Sequence, residues 1–167
     1  MVKDQTQFPQ FRVGVGQDSR RFLPPESTKP CVIGGLIFDD VPGLSADSDG
    51  DVAVHALCNA ITSLTGIPIL EGIATDLCLK DGITDSQVYL EKALECLGSQ
   101  KITHVALTFE GKKPNISARI LEMREKIASV MHLDVSQIGI TATSGSGLTD
   151  VGCGDGVHCL CILTTYG

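Results

Sequence analysis

Apolar residues in this chain recur at two different intervals, and the switching between them limits the fold to a few layer arrangements. Residues 102–109 alternate apolar and polar, the two-residue period of a strand with one face buried. Residues 11–16, 138–143 and 157–165 read as three further strands, and 31–38 as another, interrupted by Gly34-Gly35 as at a bulge or close approach. Between them the spacing becomes helical. Val54, Leu57, Ile61 and Leu64 form one stripe behind Ser48-Asp49-Gly50-Asp51, where Ser48 and Asp51 have the form of a capping box. Asp85 caps a second helix to Leu97, with Gly98 just past its end. Ser117 caps a third, through His132, with Ile120, Met123, Ile127 and Met131 on its stripe. Residues 69–84 read as a loop with one short turn, and 144–156 as a glycine-rich loop. The order β-β-α-α-β-α-β-β predicts an α/β (α+β) sandwich: one mixed sheet with helices packed on one face.

Composition narrows the function classes. A single domain over residues 11–167 suits the length, behind a short loose polar arm at 1–10. The net charge of −7 and the absence of a basic stripe argue against nucleic acid as a partner. No apolar run approaches the length of a membrane span, and the polar start lacks a signal segment. Seven cysteines, an odd number without C-x-x-C spacing, read as buried reduced thiols, which points to the cytoplasm. Aromatics make up only 4% and Trp is absent, so the core rests on small side chains, which favours oligomerisation.

Three segments could carry chemistry. In Gly16-Gln17-Asp18-Ser19-Arg20-Arg21-Phe22, a turn after the first strand, Asp18 could hold a metal and Arg20 or Arg21 a phosphate; the plain alternative is a solvated Asp–Arg pair. Asp47-Ser48-Asp49-Gly50-Asp51, with His55 four residues on, crowds carboxylates at a helix start, where free N–H groups favour anions; the alternative makes the aspartates caps and His55 a core histidine. Thr143-Ser144-Gly145-Ser146 follows a strand directly and could cradle a phosphate or nucleotide, or be a plain flexible loop. His104, His132 and His158 have no partner pattern and read as structural or exposed.

In this order and spacing the three segments resemble the 2-C-methyl-D-erythritol 2,4-cyclodiphosphate synthase family. Its G-x-D-x-H-R-F turn corresponds to residues 16–22, its G-G to Gly34-Gly35 and its H-S-D-[AG]-D-V-x-x-H helix start to Asp47 through His55. Its late loop corresponds to Ala142-Thr143-Ser144, Leu148 and Gly152 to Gly156. The spelling is most like the divergent chlamydial members. The resemblance implies a homotrimer with a central sheet-lined core, sites between subunits, and a phosphorylated small-molecule substrate cyclised with release of CMP. It implies zinc on Asp18, His55 and the position of Arg20, with a magnesium or manganese ion on the diphosphate. Asp47 and Ser144 fall at catalytic positions; Asp18, Arg20, Asp47, Ser48, Thr143, Ser144, Gly145 and Ser146 fall at substrate-binding ones.

The chain also departs from the pattern. Arg20 and Asp47 stand where the family has His, Ser146 where it has Glu, and Cys153 where it has Arg. Glu71-Gly72-Ile73-Ala74 replaces G-D-I-G. Asp47 is a candidate third ligand, or Arg20 supplies a fixed charge in place of the ion. Alongside a working synthase stand two other readings: a degenerate trimer that binds cytidine nucleotide or phosphate, and a metal-dependent phosphatase.

Overall fold

The computed structural model describes residues 10–167; residues 1–9, most of the expected arm, lie outside the described residues. The elements run β1 (Phe11–Arg21), β2 (Cys31–Ile33), β3 (Leu36–Phe38), α1 (Val52–Thr65), α2 (Thr75–Asp81), α3 (Ser86–Glu95), β4 (Lys101–Glu110), α4 (Ile120–Met131), β5 (Ile138–Thr143), α5 (Asp150–Cys153) and β6 (Gly156–Tyr166). Four strands form a mixed sheet in the order β1-β6-β4-β5, with only the β4–β5 pair parallel. Val105, Leu107, Phe109, Cys159, Cys161 and Leu163 are buried on the sheet face that α1 and α4 cover, as the alternation required. No single helix among the described residues is long and apolar enough to cross a membrane.

Several local expectations are corrected. The first strand does not end at Gly16. It pairs with β6 along its full length, from Phe11 opposite Tyr166 to Arg21 opposite Gly156, so Asp18 to Arg21 are strand residues rather than a turn. Residues 31–38 are not one bulged strand but a hairpin, β2 to β3, which turns through Gly34 (φ 60°) and Gly35 (φ 73°). Asp51, not Ser48, caps α1: its carboxylate accepts from the N–H groups of Ala53 and Val54. Residues 69–84 are largely helical, a π-helical turn (Ile69–Ala74) leading into α2. Asn115 caps a short 3-10 turn (Ile116–Arg119) before α4, so Ser117 is not the cap. The late loop contains the short helix α5, held by Arg21, whose guanidinium bonds Asp150 at 2.8 Å and Asp155 at 3.1 Å.

All seven cysteines are free. Burial pushes the Cys161 thiol up to about 12, so it is a small apolar core group at neutral pH.

The contact between α1 and β1 positions the site. Gly14 and Gly16 face the helix and lie against its backbone. A Cβ at Gly14 would overlap the Ala60 carbonyl oxygen, and one at Gly16 the Ala56 carbonyl oxygen and the Ala60 amide. The opposite face of the sheet is open. Val13, Val15 and Ile162 are 59%, 52% and 42% exposed there, with Val15 directly opposite Ile162 and Ile162 opposite Ala106.

Candidate functional site

Strand alternation decides which residues reach the helix. Two-residue steps from Gly14 and Gly16 bring Asp18 and Arg20 to the face covered by α1, while Ser19 and Arg21 turn the other way. On α1, His55 stands one turn after the cap residue Asp51 and is buried. The two elements therefore deliver Asp18, Arg20 and His55 to one place. His55 Nδ1 lies 3.1 Å from Asp18 Oδ2 and 3.3 Å from Arg20 Nη2, and Arg20 Nε donates to Asp18 Oδ2 at 2.9 Å.

The other edge of the imidazole is also held. Nε2 lies 3.0 Å from Ser86 Oγ and 3.3 Å from Ser48 Oγ. Ser86 donates its hydroxyl to Asp49, and the Asp49 carboxylate also accepts from the Ser86 amide at 3.0 Å. Asp51 does more than cap. It accepts from Gly34 N at 2.8 Å and Gly35 N at 2.7 Å, tying the β2–β3 turn to the start of α1. Lys29 Nζ donates to the carbonyls of Leu44 at 2.9 Å and Ala46 at 2.8 Å, which fixes the loop that carries Asp47 and Ser48. Burial acts to raise the Asp18 carboxyl. Its hydrogen bonds to His55 and Arg20, with their charge, outweigh that and hold it below the usual carboxylate range.

Arg20, Asp47, Ser48 and His55 form the polar wall of a cleft of about 160 Å³. The facing wall is largely apolar and comes from the segment read as a loop: Leu70, Ala74, Leu79 and, from α3, Tyr89. Asp47 is exposed at this cleft. The hydroxyl and glycine loop does not line it. Thr143 Oγ1 accepts from Gly145 N at 3.3 Å, Ser144 Oγ accepts from Ser146 N at 3.3 Å, and Ser146 has φ 50°. Thr149 bonds Glu110 and anchors this loop beyond the ends of β4 and β5. Thus Asp18, Arg20, Asp47, Ser48 and His55 come together in one chain, while Thr143, Ser144, Gly145 and Ser146 stand apart.

The zinc expectation meets a donor set that does not fit it. No three His, Cys, Asp or Glu side chains converge among the described residues, so Asp47 does not complete a ligand trio. The two atoms that do converge, Asp18 Oδ2 and His55 Nδ1, are the same two that the Arg20 guanidinium contacts. Catalytic zinc takes three protein ligands at about 2.0–2.2 Å for N and O donors. An ion there would face a fixed positive charge, and a divalent ion 4 Å from a unit cation is repelled by about 8 kcal/mol at an effective dielectric of 20.

Ser86, Asp49 and Lys29 are the site residues that sequence reasoning missed. Asp85-Ser86 was visible only as a helix start, and Asp49 only as one of a crowd of carboxylates.

Residues 11–166 match the YgbB family. A protein of Chlamydia trachomatis serovar L2b named 2-C-methyl-D-erythritol 2,4-cyclodiphosphate synthase is 52% identical over 155 residues, which span 92% of this chain and 87% of that one. The protein of the same name from Chlamydia caviae is also 52% identical, over 92% of this chain and 88% of its own. Among solved structures, the bifunctional IspDF from Campylobacter jejuni has a TM-score of 0.84 at 23% identity, spanning 95% of this chain and 42% of that one. The IspF–CDP complex from Plasmodium falciparum has a TM-score of 0.79 at 22% identity, spanning 93% of this chain and 95% of that one. At these identities the structural matches establish the fold.

Proposed function

The chain belongs to the YgbB family, and on that premise we propose that it is a 2-C-methyl-D-erythritol 2,4-cyclodiphosphate synthase. The substrate is 4-diphosphocytidyl-2-C-methyl-D-erythritol 2-phosphate. Its 2-phosphate oxygen attacks the β-phosphorus of the diphosphate. The bond from that phosphorus to the oxygen bridging to the α-phosphate breaks, CMP leaves with the electron pair, and a cyclic diphosphate forms. The enzyme is thus a cyclising phosphorus–oxygen lyase of isoprenoid-precursor synthesis, working in the cytoplasm.

One observation carries this reading: two polar clusters suited to phosphate stand apart and do not meet within the chain. Arg20, Ser48 and His55 offer a cation, a hydroxyl and an imidazole on one cleft, while the Thr143–Ser146 loop offers hydroxyls elsewhere. The open apolar sheet face supports a homotrimer packed sheet to sheet about a central axis, which would bring one subunit's loop to its neighbour's cleft. Phosphoryl transfer needs little from a protein beyond alignment of attacking and leaving oxygens and charge neutralisation. In that assembly Asp18 and His55 hold Arg20, Arg20 and Ser48 take phosphate oxygens, and Asp47 contacts the reacting portion from the cleft mouth. Thr143, Ser144, Gly145 and Ser146 of the neighbouring subunit cradle the cytidine diphosphate end, with Ser144 nearest the chemistry. A magnesium or manganese ion accompanies the diphosphate.

Phosphorus NMR of the protein with this substrate tests the reading. Loss of the substrate signals with matched appearance of CMP and a cyclic diphosphate is expected. Tight binding of cytidine diphosphate with no turnover would instead make the chain a degenerate binder.

A further inference from the structure

We propose that Arg20 is the permanent cation of the cleft, receiving a phosphate or diphosphate oxyanion where a bound metal ion would otherwise be required. A guanidinium carries five N–H donors in a fixed plane. Arg20 directs Nε to Asp18 at 2.9 Å and has Nη2 3.3 Å from His55, so one edge of the fork is anchored to strand and helix alike. The side chain is still 31% exposed and lines the cleft, so the rest of the fork faces the space a ligand would enter. An anchored planar fork is suited to two phosphate oxygens at once. Leu70, Ala74 and Leu79 line the same cleft and offer no competing charge to the guanidinium.

His55 takes a different part from that of a ligand. Asp49 holds Ser86, Ser86 meets Nε2, and the ring is thereby set at the angle that brings Nδ1 to the Asp18–Arg20 pair. It is a positioning residue for the guanidinium. The cation of this site is covalently part of the chain and cannot be removed by chelation.

The proposal rests on the function above only for the identity of the natural ligand, so its test uses inorganic pyrophosphate beside cytidine diphosphate. The native protein would be dialysed against a chelator selective for zinc over magnesium, assayed for zinc by elemental analysis, and titrated calorimetrically with both probes in the continued presence of that chelator and of magnesium. The expected result is well under one zinc per chain and pyrophosphate affinity changed less than twofold by chelation. Arg20→Gln should weaken pyrophosphate at least tenfold, and Arg20→His should gain zinc binding, seen by elemental analysis, with pyrophosphate affinity that now depends on it. Stoichiometric zinc retained through dialysis, or pyrophosphate binding abolished by the chelator, overturns the proposal. If pyrophosphate binds through Arg20 while cytidine diphosphate and substrate are ignored, the proposed synthase activity fails and the arginine cation stands.

Discussion

Asp18 is pulled in opposite directions by its surroundings, and the balance predicts how the site responds to acid. Burial opposes its charge, while the Arg20 fork and His55 favour it, and the favourable contacts win. A carboxyl held below its unfolded value adds stability that is complete above about pH 4 and is lost as pH falls through the depressed folded value. Asp18→Asn should flatten the melting-temperature profile between about pH 5 and 2 and, at pH 7, cost about 2 kcal/mol, the loss of a charge-assisted bond; calorimetry across that range checks both. A profile for the variant that parallels the parent would mean Asp18 is not the titrating partner. His55→Ala removes the ring that orients Arg20, and turnover of the diphosphate substrate should fall by about two decades, as misplacement of about 1 Å near the chemistry does. Steady-state rates of CMP release measure it, and retention of near-parent rates would return His55 to the role of core histidine. Asp18, Arg20, Ser48 and His55 were legible as chemical types crowded into two short segments that match a family pattern, although residues 18–21 were read as a turn and not as strand. Ser86 was not, because its contact with His55 spans 31 residues and depends on where α3 docks.

At the scale of elements, Asp51 joins two of them with one side chain. Its carboxylate takes the first free amides of α1 and both amides of the β2–β3 turn, and it is nearly inaccessible to water. Asp51→Ala strands four donors at once. Lost capping costs about 1 kcal/mol and the unsatisfied buried turn amides about 2 more. For a domain of this length that is a fall of roughly 10 °C in melting temperature, with far-ultraviolet dichroism near parental if the fold survives. Asp51→Asn should recover part of it, since an amide oxygen accepts from two of the donors. The sequence put the start of α1 three residues early, with the cap at Ser48, because a hydroxyl and a carboxylate three residues apart satisfy the same pattern whichever of them folds inward. The wall formed by residues 69–81 was illegible for a different reason. A π-helical turn breaks the 3.6-residue period on which helix recognition depends.

Across the whole molecule, the unpaired matter is the sheet face carrying Val13, Val15 and Ile162. The four strands of the main sheet were legible in the sequence, β1 only in its first half, but which face would remain open was not: apolar residues on both sides of a strand look alike until the helices choose one. The proposed homotrimer buries this face. Val15→Asp and Ile162→Asp should each shift sedimentation from three chain masses towards one at micromolar concentration. The monomer should keep the Asp18–Arg20–His55 cleft and lose cytidine diphosphate affinity by at least tenfold, since the loop of residues 143–146 would no longer reach it. A parent chain that sediments as a monomer would remove the premise.

The glycine contact between β1 and α1 has a consequence for how such a site can change over time. Where two elements meet backbone to backbone, as β1 and α1 do at Gly14 and Gly16, few side chains are left at the seam to swell, shrink or repack. The span from Asp18 to His55 is therefore a ruler whose length is set largely by the close approach of two backbones. The instrument mounted on that ruler can then be exchanged without recalibration. A ring, an ion or a guanidinium placed at position 20 inherits the same two anchor atoms at the same separation.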